Sequence, residues 1–261
     1  MFAKKDPLAA ELFRLTREEN RFLEKRREKK PSALNRLLEE KAPEKLQEAL
    51  ASAFAKAFAL VFEKGTGIIE LSYNRDKKEK QFKIDSYAAS IRGDKKSLRS
   101  FSKKAGSAGA LNLAMSGAAG LGLGVLGIGL PDIALFTGLM LKSVYETALS
   151  FGFEYDSEEE KKFILRLIAG AMAYGEELLR IDAELNTFIE SGRYPLDADK
   201  AALTKQAAAG LSGELLCMKF LQGLPIVGAL GGAYDAVYMK RINDYARLKY
   251  RRRFYEKLRR N

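Results

Sequence analysis

Apolar residues recur at intervals of three and four along most of this chain, the spacing that places side chains on one face of an α-helix. The clearest stripe lies within residues 44–64 and consists of Leu46, Leu50, Phe54, Phe58, Val61 and Phe62. The two-residue alternation of a half-buried strand is not sustained anywhere in the sequence. The pattern therefore predicts an all-α fold, a helical bundle.

Pro7, Pro31 and Pro43 divide the first part of the chain, and Pro31 and Pro43 are each expected to restart a helix. Asp6 followed by Pro7 is typical of a helix start, with the aspartate as N-cap and proline at the first helical position. The helix that follows is densely charged, which predicts a protruding or loosely docked element. Pro43 then precedes the next helix. We divide the chain into a charged N-terminal helical extension, residues 1–42, and a helical domain, residues 43–261, that ends in a basic helix.

Further helices are predicted from their boundary residues. The polar segment 72–81 indicates a loop, and short helices are expected over 79–92 and 94–104. Ser157 and Glu160 have the spacing of a capping box, which predicts one helix from there to about Phe188, ended by Gly192. Asp197 or Asp199 is expected to cap the next helix.

Residues 105–131 carry no charge and are rich in glycine. Pro131 separates this run from another apolar segment, so a central glycine-rich hydrophobic helical hairpin is predicted over about 105–141, surrounded by the bundle. Its small residues lie at four-residue spacing, which lets helix backbones approach closely; the candidates for this packing are Ser116, Gly120, Gly122 and Gly124. At ~1.5 Å per residue the run is long enough to cross the ~30 Å hydrocarbon layer of a bilayer. The hairpin therefore forms ordinary core, docks shallowly into a bilayer, or spans it.

The composition restricts the chemistry. The chain has no histidine and one cysteine, Cys217, which excludes Ser-His and Cys-His catalytic pairs and a cysteine-histidine zinc site. Gly122, Gly124 and Gly127 match the dinucleotide-binding spacing, but no strand precedes them and Pro131 follows. We predict no catalytic residue, cofactor or metal. The N-terminus has no continuous apolar stretch of a signal peptide, which predicts a cytoplasmic protein.

Charge is concentrated at the two ends of the chain. The net charge is +11, and residues 239–261 contain ten basic and two acidic side chains interleaved with aromatic residues. This pattern suits an anionic membrane surface, the phosphates of a nucleic acid, or a helix whose apolar face packs on the core. The uncharged run favours lipid over nucleic acid. The candidate contacts are Lys240, Arg241, Arg247, Lys249, Arg251, Arg252, Arg253, Arg259 and Arg260.

Two blocks of sequence resemble the EcsC family of bacterial proteins. They begin AGSAGALNLAMSGAAGLGLGVLGIGLPDIALF and, much later, LQGLPIVGALGGAYDAVYMKRINDYARLKYRRRF. The resemblance covers roughly residues 45–258, with the first ~40 residues particular to this chain. It implies a bacterial cytoplasmic or membrane-associated protein and brings no catalytic residues with it. The family takes its name from a protein encoded beside the subunits of an ABC transporter.

Together these features predict a non-enzymatic helical protein at the inner face of the cell membrane. It would bind an anionic lipid surface or a membrane-protein partner such as a transporter. The alternative is a soluble helical enzyme or small-ligand-binding protein with a pocket lined by the glycine-rich hairpin.

Overall fold

The computed structural model describes residues 6–29, 44–64, 75–92, 94–106, 130–192, 199–222 and 231–260. The helices in these ranges are α1 (Pro7–Glu24), α2 (Glu44–Lys64), α3 (Arg75–Arg92), α4 (Lys95–Gly106), α5 (Leu130–Ser150), α6 (Glu158–Met172), α7 (Gly175–Ser191), α8 (Lys200–Gln222) and α9 (Gly231–Arg260). Regular structure in the described ranges is entirely helical, and the prediction of an all-α bundle is confirmed. The predicted packing residues Ser116, Gly120, Gly122 and Gly124 lie outside these ranges, and the hairpin stays a prediction.

The centre of the bundle is formed by α5 and α6. Residues 140–149 of α5 and 163–172 of α6 are buried without interruption. α2 packs on α5, α8 packs on α6, and α2 and α8 pack on each other. α9 packs on both α5 and α6, and α7 packs on α6 and α9. The apolar stripe of α2 faces inward from Leu50 to Phe62 as predicted, with Phe54 and Phe58 fully buried. The side chain of Leu46 lies outside the described part of the structure. Burial on all sides explains why α6 is apolar beyond a single helical face.

Helix ends follow the sequence signals closely. The side chains of Asp6, Ser157 and Asp199 each accept a hydrogen bond from a backbone N–H in the first turn of their helices, at 2.9, 3.1 and 3.1 Å. Of the two candidates before α8, Asp199 is the observed cap. Gly192 ends α7 in the left-handed conformation, with φ of 71°. Local capping rules therefore fix these boundaries.

The capping box at α6 is only half formed. The Ser157 side chain accepts from the backbone of Glu160 as predicted, but the Glu160 carboxylate turns into the bundle. There it accepts hydrogen bonds from Tyr250 at 2.7 Å and Arg253 at 2.6 Å. A tertiary contact to α9 thus replaces the local contact that the sequence predicts.

The single helix predicted from residue 157 to about Phe188 is wrong, because the chain breaks at residues 173–174 into α6 and α7. Gly175 adopts φ of 56°, which favours glycine, and its N–H donates to the carbonyl of Arg26 at 2.9 Å. A Cβ at this position would lie 3.3 Å from the carbonyl oxygen of Arg27. The break therefore accommodates the chain that follows α1.

The loop predicted over residues 72–81 is also wrong from Arg75 onward, where α3 begins. Arg75 pairs with Glu79 one turn later and reaches Asp156 at 2.8 Å in the connection between α5 and α6. Lys78 pairs with the buried Glu146 of α5 at 3.0 Å. Charges that resemble a solvated loop in sequence therefore dock a helix against the bundle.

The expectation that the N-terminal helix is loosely docked is wrong. α1 packs against α9 and α4, and it buries Leu15 together with the carboxylates Glu11 and Glu19. Arg252 of α9 donates to Glu19 at 2.9 Å, and Arg99 of α4 donates to Glu11 at 3.1 Å. Its buried charges have complementary partners on neighbouring helices, while others, such as Arg17, stay exposed.

Lys249 lies at the junction of α1, α7 and α9 and is fully buried. Its Nζ is 2.6 Å from Oδ1 of Asp182, 2.8 Å from Oδ1 of Asn186 and 3.3 Å from Oε1 of Glu19. Tyr245 also donates to Asp182, at 2.7 Å. A buried charge is tolerated only when its pairing and hydrogen bonding are this complete.

Replacing Lys249 by methionine tests this junction. Lys249→Met leaves Asp182 and Glu19 without their buried ammonium, and we expect the free energy of unfolding to fall by about 3–5 kcal/mol. Urea denaturation measures the change. The matched control is Lys240→Met, which removes the same charge from an exposed position of α9. It should change stability by no more than about 0.5 kcal/mol. Equal effects of the two variants would contradict the buried network.

Candidate functional site

The nine basic residues of α9 predicted to contact an anionic surface are all paired within the protein. Six bond to groups on other helices: Arg241, Lys249, Arg251, Arg252, Arg253 and Arg260. The other three pair with acidic residues of α9 and stay exposed: Lys240 at 61%, Arg247 at 44% and Arg259 at 61%. The basic helix is therefore mainly a structural element in this arrangement.

Arg253 illustrates how α9 uses its cations. Its guanidinium lies 4.2 Å from the ring centroid of Phe153 and 5.2 Å from that of Phe163, and it donates to buried Glu160. Planar guanidinium groups stack on aromatic faces while they form charged hydrogen bonds. The alternation of basic and aromatic residues in α9 thus serves internal packing.

A cleft of about 660 Å³ lies between the end of α1 and the first half of α9, and we call it the α1–α9 cleft. Tyr174 and Glu214 close its inner side. Its lining includes seven basic residues, Arg21, Lys25, Arg26, Lys29, Lys240, Arg241 and Arg247, and four acidic ones, Glu18, Glu28, Glu214 and Asp244. The cleft is therefore cationic.

Arg26 is the most unusual cation in this cleft. Its guanidinium lies 3.9 Å from the ring centroid of Phe22, which stacks in turn on Tyr245 at 4.7 Å. Burial, followed by the positive charge of Arg241, lowers the pKa of Arg26 to about 10. Within the described ranges, Arg26 forms no ion pair and no side-chain hydrogen bond. Asp244 and Glu214 partly offset this lowering of the pKa, but neither pairs with Arg26, so its guanidinium suits an anionic ligand.

Arg241 lies opposite, and its position is fixed by the protein. It donates to Glu214 at 3.3 Å and lies 5.1 Å from the ring of Tyr238 and 5.5 Å from that of Tyr174. The hydroxyl of Tyr174 donates weakly to the same carboxylate, at 3.5 Å. Two guanidinium groups thus approach one volume, one from the turn after α1 and one from α9.

A second cationic region lies on α3 and α4. It combines exposed lysines with two of the largest exposed apolar side chains, Ile84 at 62% and Tyr87 at 68%. We define the α3–α4 surface as Lys77, Lys80, Lys83, Ile84, Tyr87, Lys95, Lys96 and Lys103. The sequence pattern does not predict it, because residues 72–81 are assigned to a loop. A helical periodicity extended back to Arg75 shows that Lys77 and Lys80 share a face with Ile84 and Tyr87.

The helices and acidic side chains of the described residues bear on membrane spanning and metal binding. None of their helices combines the length and the apolar character needed to cross a bilayer. The same part of the chain contains no group of three or more His, Cys, Asp or Glu side chains arranged to hold a metal ion.

The sequence matches the EcsC protein family over residues 9–254. The chain belongs to the EcsC family. Because the match includes α1, the expectation that the first ~40 residues are particular to this chain is wrong. The predicted domain boundary at residue 43 falls among residues 30–43, which the structure does not describe, and it stays a prediction. No curated protein and no solved structure matches this EcsC protein.

The unpaired state of Arg26 generates a stability prediction. Because burial and Arg241 disfavour its charge, Arg26→Met should keep the contact with Phe22 and unfold at the same or a higher temperature. The charge-matched comparison is Arg253→Met, which removes the guanidinium from buried Glu160 and should lower the unfolding temperature by at least about 4 °C. Thermal denaturation followed by circular dichroism measures both. A clear loss of stability in Arg26→Met would show that Arg26 has a structural partner.

Proposed function

We propose that this EcsC protein is a non-enzymatic peripheral protein that binds an anionic membrane surface through its α3–α4 surface. The observation that carries the proposal is the exposure of Ile84 and Tyr87 among lysines on one helical face. Basic groups suit lipid phosphates, and an aliphatic and an aromatic side chain suit the headgroup boundary. The cytoplasmic face of the cell membrane supplies such a surface.

Helical spacing places these side chains together. Lys77, Lys80, Ile84 and Tyr87 follow one another at intervals of three, four and three residues, so that they share one face of α3. The opposite side of α3 is held to the bundle by Lys78, which pairs with Glu146 of α5. Because α3 is already docked on the bundle, its backbone loses little conformational entropy when its cations contact a membrane.

The expected binding free energy is large enough to measure, and it should depend on salt. Each cation near an anionic bilayer contributes about 1 kcal/mol. The α3–α4 surface contains six lysines, whereas α9 exposes three of its nine candidate cations. The electrostatic part should weaken with salt, because the screening length falls from about 10 Å at 0.1 M to about 3 Å at 1 M.

The exposed apolar side chains favour lipid over nucleic acid. Phosphate contacts to a nucleic acid need only positive charge. Ile84 would gain nothing from a phosphate backbone, but both Ile84 and Tyr87 would bury apolar area in a headgroup layer. A membrane-protein partner would use the same exposed face and is distinguished by the experiment below.

Liposome flotation tests the proposal. The intact protein should float with vesicles of phosphatidylglycerol and phosphatidylcholine at low salt, but not with phosphatidylcholine alone. A variant with Lys77→Gln, Lys80→Gln and Lys83→Gln loses three cations, and its partitioning should fall on the order of one hundred-fold. Ile84→Ser with Tyr87→Ser should weaken the binding that persists at high salt.

Two matched variants control for total charge. Arg17→Gln, Lys56→Gln and Lys205→Gln remove three exposed cations from α1, α2 and α8, and this variant should float like the intact protein. Lys240→Gln, Arg247→Gln and Arg259→Gln test the exposed cations of α9 and should have the smaller effect. Loss of flotation in either control with normal flotation of the α3 variant would overturn the proposal. Binding only to vesicles that contain membrane proteins would indicate a protein partner.

A further inference from the structure

We infer that the α1–α9 cleft binds the phosphate group of an anionic ligand, between the guanidinium groups of Arg26 and Arg241. This site is separate from the α3–α4 surface and goes beyond membrane association. The proposal for the α3–α4 surface does not depend on any of the side chains that line this cleft. Phosphate is the chemistry that two guanidinium groups recognise best, through charged and bidentate hydrogen bonds.

The charges of the cleft are incompletely balanced. Three of its four carboxylates are already engaged: Glu18 with Arg14 at 3.1 Å, Glu214 with Arg241 at 3.3 Å, and Asp244 with Arg247 at 3.7 Å. None of these pairs includes Arg26. Asp244 and Glu214 act on Arg26 without pairing with it, so a bound dianion would add the direct charged contact that Arg26 lacks among the described side chains.

Arg26 is held in place before any ligand arrives. Its guanidinium rests on Phe22, Phe22 stacks on Tyr245, and the hydroxyl of Tyr245 donates to Asp182 at 2.7 Å. Its backbone carbonyl is fixed by the N–H of Gly175 at 2.9 Å. This ordered arrangement reduces the entropy that a ligand must offset on binding.

The size and walls of the cleft indicate more than a bare phosphate. A volume of about 660 Å³ lies within the ordinary range for small-molecule sites. Phe22, Tyr174, Tyr238, Val237 and Leu248 contribute apolar surface beside the cations. The ligand class is therefore a phosphate monoester with an organic body, supplied either by a soluble metabolite or by a lipid headgroup.

Calorimetry with inorganic pyrophosphate tests the anion site directly. The intact protein should bind one equivalent, and Arg26→Gln should weaken the affinity about ten-fold or more, because it removes a charged hydrogen bond. The matched control is Arg27→Gln, which removes the neighbouring charge outside the cleft lining and should change the affinity less than two-fold. Neither arginine forms an ion pair among the described residues, so both variants should fold.

Vesicle binding separates the two sources of phosphate. Flotation is compared on vesicles of phosphatidic acid, a phosphate monoester, and phosphatidylglycerol, a diester, at matched surface charge. A lipid ligand predicts that Arg26→Gln loses a preference for phosphatidic acid that Arg27→Gln retains. A soluble ligand predicts that pyrophosphate binding depends on Arg26 while flotation does not.

The inference fails if pyrophosphate does not bind saturably and phosphatidic acid is not preferred. It also fails if Arg26→Gln and Arg27→Gln weaken binding equally, since that result would mean nonspecific attraction. These outcomes are independent of the α3 variant. Flotation lost in that variant, with neither pyrophosphate binding nor a preference for phosphatidic acid, would support the membrane proposal and reject the phosphate site. The reverse result would do the opposite.

Discussion

The buried ammonium of Lys249 is the constraint on which the arrangement of α1, α7 and α9 depends. It requires Asp182 of α7 and Glu19 of α1 within ion-pair distance, and Asn186 completes its hydrogen bonding. An incomplete set of partners would leave a buried charge uncompensated, at a cost of several kcal/mol. Three helices far apart in sequence are thus held in one register, and the Phe22–Tyr245 stack lies beside this junction.

Because ion pairs inside the bundle engage most basic side chains of α9, only part of the cations of the protein can contact a partner. Arg251, Arg252 and Arg253 bond to carboxylates of α1 and α6, and these contacts hold helices together. Other basic side chains are exposed on α3 and α4 or line the α1–α9 cleft. The first region is broad, exposed and mixed with apolar side chains, which suits a surface. The second is concave and ordered, which suits a small anion.

Local features of the sequence predict much of this fold, and contacts between distant residues account for the errors. The stripe of α2 and the caps at Asp6, Ser157 and Asp199 depend on neighbours within a turn, so periodicity and residue type suffice. The docking of α1 depends on Arg252, more than two hundred residues later, and single-sequence patterns do not pair such charges. For the same reason the basic residues of α9 resemble a surface anchor, although most have internal partners.

The central claim is that α1 is an integral part of the bundle, because both Lys249 and the α1–α9 cleft require it there. Hydrogen–deuterium exchange on the intact protein tests this claim most directly, since amide protection reports the free energy of local opening. The backbone amides of residues 11–24 should exchange as slowly as those of residues 242–255. Exchange of the α1 amides within seconds, beside a protected α9, would show a detached helix and contradict the account.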